Sequence, residues 1–171
     1  IMYFLVQYDG GALNDILTAL GVAPIDWLSD GNRAVIIMTL INSIQYVGIS
    51  MVIYLAGLQN ISSQYYEAAA IDGVSGWQQF RYITVPLLIP AISSSVTLNL
   101  IGGLKLFDVI QALTKGGPGY ASHSLSTLVA NQYFQATNAG YSATIGLFSF
   151  ALIMILSNIV TTYFNKKEVY M

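Results

Sequence analysis

The sequence predicts an all-α, polytopic transmembrane helical bundle, and three observations carry that prediction. Only 8% of the 171 residues are charged and 55% are apolar, whereas soluble domains carry about 25% charged residues. Three stretches run without Asp, Glu, Lys or Arg: Ala34 to Tyr66, Tyr82 to Leu104 and Gly116 to Asn165. Their apolar cores are near or above the roughly 20 residues that a helix needs to cross about 30 Å of hydrocarbon. They do not alternate as the ~10-residue strands of a membrane β-barrel do, and three such lengths argue against buried helices of a soluble protein.

Taken in order, the opening "IMYFLVQY" has no charged leader and no small-residue cleavage site, so it does not read as a signal peptide. It is too short to span and reads as the end of an earlier helix, with further N-terminal spans expected before it. In "GALNDILTALG", Leu13, Ile16, Leu17 and Leu20 share one helical face, with Gly21 and Pro24 as stop signals. A span is predicted over residues 34–58, a connecting loop over 59–83 and a second span over 84–107. Residues 108–140 follow as a loop, broken by the turn-rich "TKGGPGY", with a half-buried helix carrying Leu125, Leu128 and Val129. A last span covers 141–164, and residues 1–171 read as one transmembrane domain.

Composition also excludes functions. There is no cysteine, so disulfides, thiolate nucleophiles and Cys-based metal sites are ruled out. His123 is the only histidine and is expected at the surface; no His/Asp/Glu group has metal-ligand spacing. No G-x-x-x-x-G-K-[ST] is present, so energy must come from a gradient or from another chain. The net charge of −2 and the lack of a basic patch give no sign of nucleic acid binding. Charge does not set the topology: Arg81, Lys166 and Lys167 lie on one side of the predicted spans, and Arg33, Lys105 and Lys115 on the other. The "NKKE" directly after the last span points to a cytoplasmic C-terminus.

The loop from Tyr65 to Pro86 is the most polar part of the chain. Ser62 or Ser63 suits a helix start, and Tyr65, Ala68, Ala69 and Asp72 fall on one face at i, i+3, i+4, i+7. Alanines at that spacing make a flat surface of high helix propensity. Gly73 suits a left-handed cap, and Ser75 with Gln78 fits a capping box for a second short helix. Trp77 and Phe80 lie one turn apart on that helix, and Pro86 begins the next span. The expected product is a helix–turn–helix across the membrane face; the residues alone leave open whether it docks a partner or is an ordinary structured loop.

Glu67-Ala68-Ala69, three residues, Gly73, nine residues, Ile83, one residue, then Val85-Pro86 resembles the EAA motif of ATP-binding-cassette importer permeases, EAA-x3-G-x9-I-x-LP. Val85 stands where leucine is usual. "AGLQNISSQYYEAA", "LKLFDVIQALTKGGPG" and "GYSATIG" resemble segments of the subclass that includes the maltose importer's larger permease and the multiple-sugar permeases. The resemblance covers nearly the whole chain and implies the type I importer permease fold in a bacterial or archaeal cytoplasmic membrane. It implies that the loop and C-terminus are cytoplasmic, with Glu67, Ala68, Ala69, Asp72, Gly73, Trp77 and Phe80 docking an ATPase subunit. The implied partners are a second permease subunit, two ATP-binding-cassette ATPase subunits and an extracytoplasmic sugar-binding protein, besides lipid. No cofactor is expected in this chain; ATP and Mg belong to the ATPase subunits.

Polar residues inside spans are functional candidates. Asn42, Gln45 and Tyr46 lie on or near one face of the first span and offer amides, a hydroxyl and a ring, which suit a sugar. The resemblance adds that a maltose permease has asparagine at the position matching Asn42, lining its sugar site, while its other maltose contacts are not matched identically. Asn99, Gly102 and Gly103 in the second span suit either a substrate path or helix contact. Lys105 and Asp108 are expected to pair across one helical turn. The implied function is the permease of an ATP-driven sugar importer. The alternatives are an importer of a non-sugar solute such as a glycerol phosphodiester or polyamine, a channel or secondary transporter, and a membrane enzyme, for which no nucleophile or metal cluster is present.

Overall fold

A computed structural model of the chain describes residues 2–169; Ile1, Tyr170 and Met171, the outermost positions of the predicted domain, lie outside them. In chain order the helices are α1 (Met2–Val6), α2 (Ala12–Ala19), α3 (Gly31–Gln59), α4 (Ser63–Ile71), α5 (Gly76–Gln79), α6 (Val85–Leu87), α7 (Ile89–Leu104), α8 (Asp108–Leu113), α9 (Leu125–Ala130) and α10 (Ala139–Val169). Two π-helical turns, Phe80–Thr84 and Asn131–Gln135, sit between α5 and α6 and after α9. Among the described residues there is no strand.

The helices α3 and α10 hold 29 and 31 residues. At 1.5 Å per residue each reaches beyond 40 Å, on the order of a full bilayer with its interfaces. Both are apolar around most of their circumference and expose Ile44, Val47, Val52, Leu147, Phe150 and Ile155, the pattern of a helix whose solvent is lipid. The expected second span, over 84–107, differs from a straight helix. Gly76–Leu87 and Ile89–Leu104 meet at a 64° bend. Pro86 and Pro90 flank it, and each removes one i→i−4 hydrogen bond from the ladder. Among the described residues two helices are therefore long and apolar enough to cross a membrane, and three if the bent pair is one span.

Because α7 stops at Leu104 and α8 starts at Asp108, Lys105 and Asp108 do not share a helix, and the expected pairing does not form. Among the described residues the one ion pair is Arg33 with Asp30, at 3.9 Å. The Asp30 carboxylate also accepts the Arg33 backbone N–H at 2.9 Å, which satisfies a free donor at the start of α3.

The chain forms two compact units: residues 1–45 with 103–151, and residues 46–102 with 152–171. In the first, Ala34, Met38 and Ile41 recur at helical spacing on α3 and pack with Val6 and with Val109, Ile110 and Leu113 of α8. The expected apolar stripe of α2 is half turned inward: Leu13, against this core, and Leu17 are half buried, whereas Ile16 and Leu20 are exposed. The buried residue of α2 is Asn14 (3% exposed). Its Nδ2 donates to the carbonyls of Tyr8 (3.0 Å) and Ile25 (2.9 Å), and its Oδ1 accepts from Ile25 N (3.1 Å) and Trp27 Nε1 (3.0 Å). A fully bonded amide is the condition on which such a group can be buried, and it ties the loop before α3 to α2. His123 is likewise not a surface side chain: it is half buried, with Nδ1 at 3.0 Å from Thr127 Oγ1.

In the second unit α3 and α7 approach at Gly57, where an added Cβ would stand 2.6 Å from Ala91 Cβ. Small residues at such a crossing bring helix backbones together, the common means of helix association in lipid.

Candidate functional site

The loop between α3 and α7 is built by a series of caps. Ser62 accepts the Gln64 N–H at the start of α4. At its end Gly73 N donates to Ala70 O (3.2 Å) and Val74 N to Ala69 O (2.9 Å), the paired bonds of a Schellman motif. Gly73 has φ +69, a conformation that costs a residue with a Cβ roughly 1–2 kcal/mol. Ser75 then opens α5 with the expected capping box: its side chain accepts from Gln78 N, and Gln78 Oε1 accepts from Ser75 N at 3.0 Å. Two further bonds fold the loop on itself. Tyr66 and Thr84 join through their hydroxyls at 2.9 Å, and Gln79 Nε2 donates to Val74 O at 3.1 Å.

This scaffold decides which side of α4 is free. Ala69 is 6% exposed and packs inward, so it is not part of an accessible surface, contrary to the face expected from Tyr65, Ala68, Ala69 and Asp72. Its neighbours Glu67 and Ala68 are exposed, as is Asp72. Ile71 is 87% exposed, and with Gln64, Glu67 and Ala68 it makes the outward stripe at i, i+3, i+4, i+7. Ile71 lies outside the face expected from the sequence, of which Tyr65, Ala68 and Asp72 are exposed as well; its signal was an apolar residue one turn after Glu67 and Ala68. Trp77 and Phe80 are exposed and stacked, ring centroids 5.6 Å apart.

The polar residues of the spans fall in both units. Asn42 and Gln45 belong to the first. Asn42 is half buried, and its Oδ1 is buried with no hydrogen-bond partner among the described residues; an unmet buried acceptor costs about 1–3 kcal/mol. Gln45 is exposed and Gly103 faces open space. In the second unit Tyr46 lies beside Gly102, whose Cβ, if present, would stand 3.7 Å from the ring. Asn99 Nδ2 donates to Ser50 Oγ (2.9 Å) on α3 and to Ser95 O (2.8 Å) on its own helix. That amide donor links two helices, the helix-contact use. Thr97 and Ser157, which the sequence reading passed over, each bury an unpartnered hydroxyl.

A family model described as "Binding-protein-dependent transport system inner membrane component" matches residues 1–169. The trehalose/maltose transport system permease protein of Thermococcus litoralis is 37% identical over 150 residues, which cover 88% of this chain and 50% of that protein. The lactose transport system permease protein of Rhizobium radiobacter is 36% identical, over 86% of this chain and 51% of its own. The chain thus spans about half the length of these curated relatives. Its fold superposes with a TM-score of 0.84 on a chain of a bacterial ABC transporter involved in the import of the acidic polysaccharide alginate. That match is 21% identical in sequence and covers 96% of this chain and 58% of the other. A chain of a bacterial alginate ABC transporter in complex with an alginate pentasaccharide-bound periplasmic protein gives a TM-score of 0.81 at 21% identity, again over 96% and 58% of the two chains.

Proposed function

The chain belongs to the family of binding-protein-dependent transport system inner membrane components, and from that premise we propose that it is the permease of an ATP-driven importer for a mono- or oligosaccharide. The observation that carries this reading is the capped loop of α4 and α5. It presents an exposed stripe of Gln64, Glu67, Ala68 and Ile71 on a helix fixed at both ends, within the motif that family resemblance assigns to ATPase docking. The trehalose/maltose and lactose permeases among its relatives support a sugar as the solute.

In this reading the α4–α5 loop and the C-terminus are cytoplasmic, and two ATPase subunits bind ATP and Mg on that side. A binding protein delivers sugar on the other side, and a second permease subunit completes the path. ATP-driven closure of the ATPase pair moves α4, and through the π-turn and the bend at Leu88 it moves α7. Coupling of this kind needs each site to favour the same global state. Asn42, with its unmet acceptor, together with Gln45 and Tyr46, offers the donors, acceptors and ring that sugar hydroxyls and ring faces require. Within the predicted spans 34–58, 84–107 and 141–164 the one cation is Lys105, which favours neutral sugars over phosphorylated solutes.

The test is uptake by proteoliposomes that hold the assembled transporter, with its binding protein outside and ATP inside, over a panel of mono- and oligosaccharides. At least one sugar should accumulate, only with ATP and only with the binding protein. Accumulation driven by an ion gradient without ATP would replace this reading with a secondary transporter.

A further inference from the structure

The first unit holds a cavity of about 150 Å³ between α8, α9 and the π-turn Asn131–Gln135. We propose that it is a carbohydrate subsite that receives one sugar ring outside the membrane, before the polar residues of the spans. The inference rests on the importer reading above, which puts the segment from 105 to 138 on the extracytoplasmic side.

The lining carries the chemistry. Phe107 and Phe134 supply ring faces, Gln111, Asn131 and Gln135 supply three carboxamides, and Lys115 supplies an ammonium group. Carboxamides both donate and accept, and an ammonium donates three times, which matches the mixed donors and acceptors of sugar hydroxyls. The only hydrogen bond found among the three amide groups runs from Asn131 Nδ2 to Gln135 Oε1 at 3.3 Å, so most of their capacity is unspent. Lys115 has no ion pair among the described residues. Phe134 is 77% exposed at the rim of this cavity, edge to face with Tyr133 at 4.9 Å between ring centroids, so its outer face is free for a sugar ring. Pockets for whole drug-sized ligands run to about 300–1,000 Å³, so a cavity half the lower size suits a single ring and leaves the rest of an oligosaccharide outside.

The walls are fixed in advance. The His123 ring lies against Gly116, where a Cβ would stand 2.1 Å from Cε1, and Nδ1 lies 3.0 Å from Thr127 Oγ1. Thr114 and Ser122 join through their hydroxyls at 2.8 Å, Ser124 Oγ donates to the Leu106 carbonyl, and Ser124 and Thr127 close a capping box at the start of α9. Fixed walls lower the ordering cost of binding.

The sequence has no cysteine, so a thiol placed at the cavity reports its occupancy. Gln111→Cys and, separately, Gln135→Cys in the assembled transporter are labelled with a maleimide in the presence of trehalose, maltose, lactose or an alginate pentasaccharide, and the label is located by peptide mass spectrometry. Asp15→Cys, exposed on α2, is the control. At about ten times its dissociation constant a bound sugar should slow labelling at the cavity about tenfold and leave the control unchanged; Phe134→Ala should weaken the protection. Protection by the neutral sugars or only by the acidic one assigns the ring type. No protection by any sugar at either cysteine overturns the subsite. So does protection by the sugar-free binding protein alone, which would assign the cavity to protein docking. Protection in a transporter that moves no sugar would keep the subsite and sink the importer reading.

Discussion

Ala68 and Ala69 are neighbours on α4 with opposite roles. Ala69 is enclosed, and any larger side chain there must displace its surroundings; Ala69→Leu should destabilise the loop by about 1–3 kcal/mol, seen as a lower melting temperature of the purified protein. Ile71, almost fully exposed, is the residue with most to gain from a partner. Truncation of an interface anchor costs ≥ 2 kcal/mol, so Ile71→Glu should weaken association with the ATPase subunits by roughly 30-fold, as measured by co-purification or surface binding, with no loss of thermal stability. In the proposed sugar path, Asn42 carries a buried acceptor with no partner among the described residues. Asn42→Leu removes it, so stability should hold or rise, while the KM for sugar uptake should rise about threefold to tenfold for one lost neutral hydrogen bond. An unchanged KM would remove Asn42 from the sugar path.

Elements were legible in the sequence to different degrees. Long charge-free runs announced α3 and α10, because nothing but lipid tolerates such lengths of exposed apolar surface. The Ser75–Gln78 box and the Gly73 cap were legible because each is a local device fixed by residue type and spacing. The inward turn of Asn14, the rotation of α4 that hides Ala69, and the half-buried seat of His123 were not. Each depends on partners beyond the next helical turn, such as Trp27 for Asn14, Thr84 for Tyr66 on α4 and Gly116 for His123. The bend before α7 was half legible: Pro86 marked the place, but its 64° angle comes from two prolines acting together. Gly73→Pro should break the α4 end, since proline holds φ near −65° and lacks the N–H that reaches Ala70. Sugar-stimulated ATP hydrolysis should be lost while membrane insertion persists, checked by fractionation. Gly57→Val should push α3 from Ala91 and cost about 1–3 kcal/mol in a detergent melting assay.

At the scale of the molecule, the low charge and the family membership support the division of labour proposed above. In that proposal this chain supplies apolar helices, a polar path and a rigid loop, and ATPase subunits supply the energy. The central claim is that the exposed stripe of α4 transmits ATP hydrolysis to the helices. Its most direct test is ATP hydrolysis by the reconstituted transporter, with and without sugar-loaded binding protein, for the wild type and for Ile71→Glu. Stimulation is expected in the wild type and its loss in the variant, with the variant inserted and folded. Stimulation in Ile71→Glu equal to that of the wild type would contradict it.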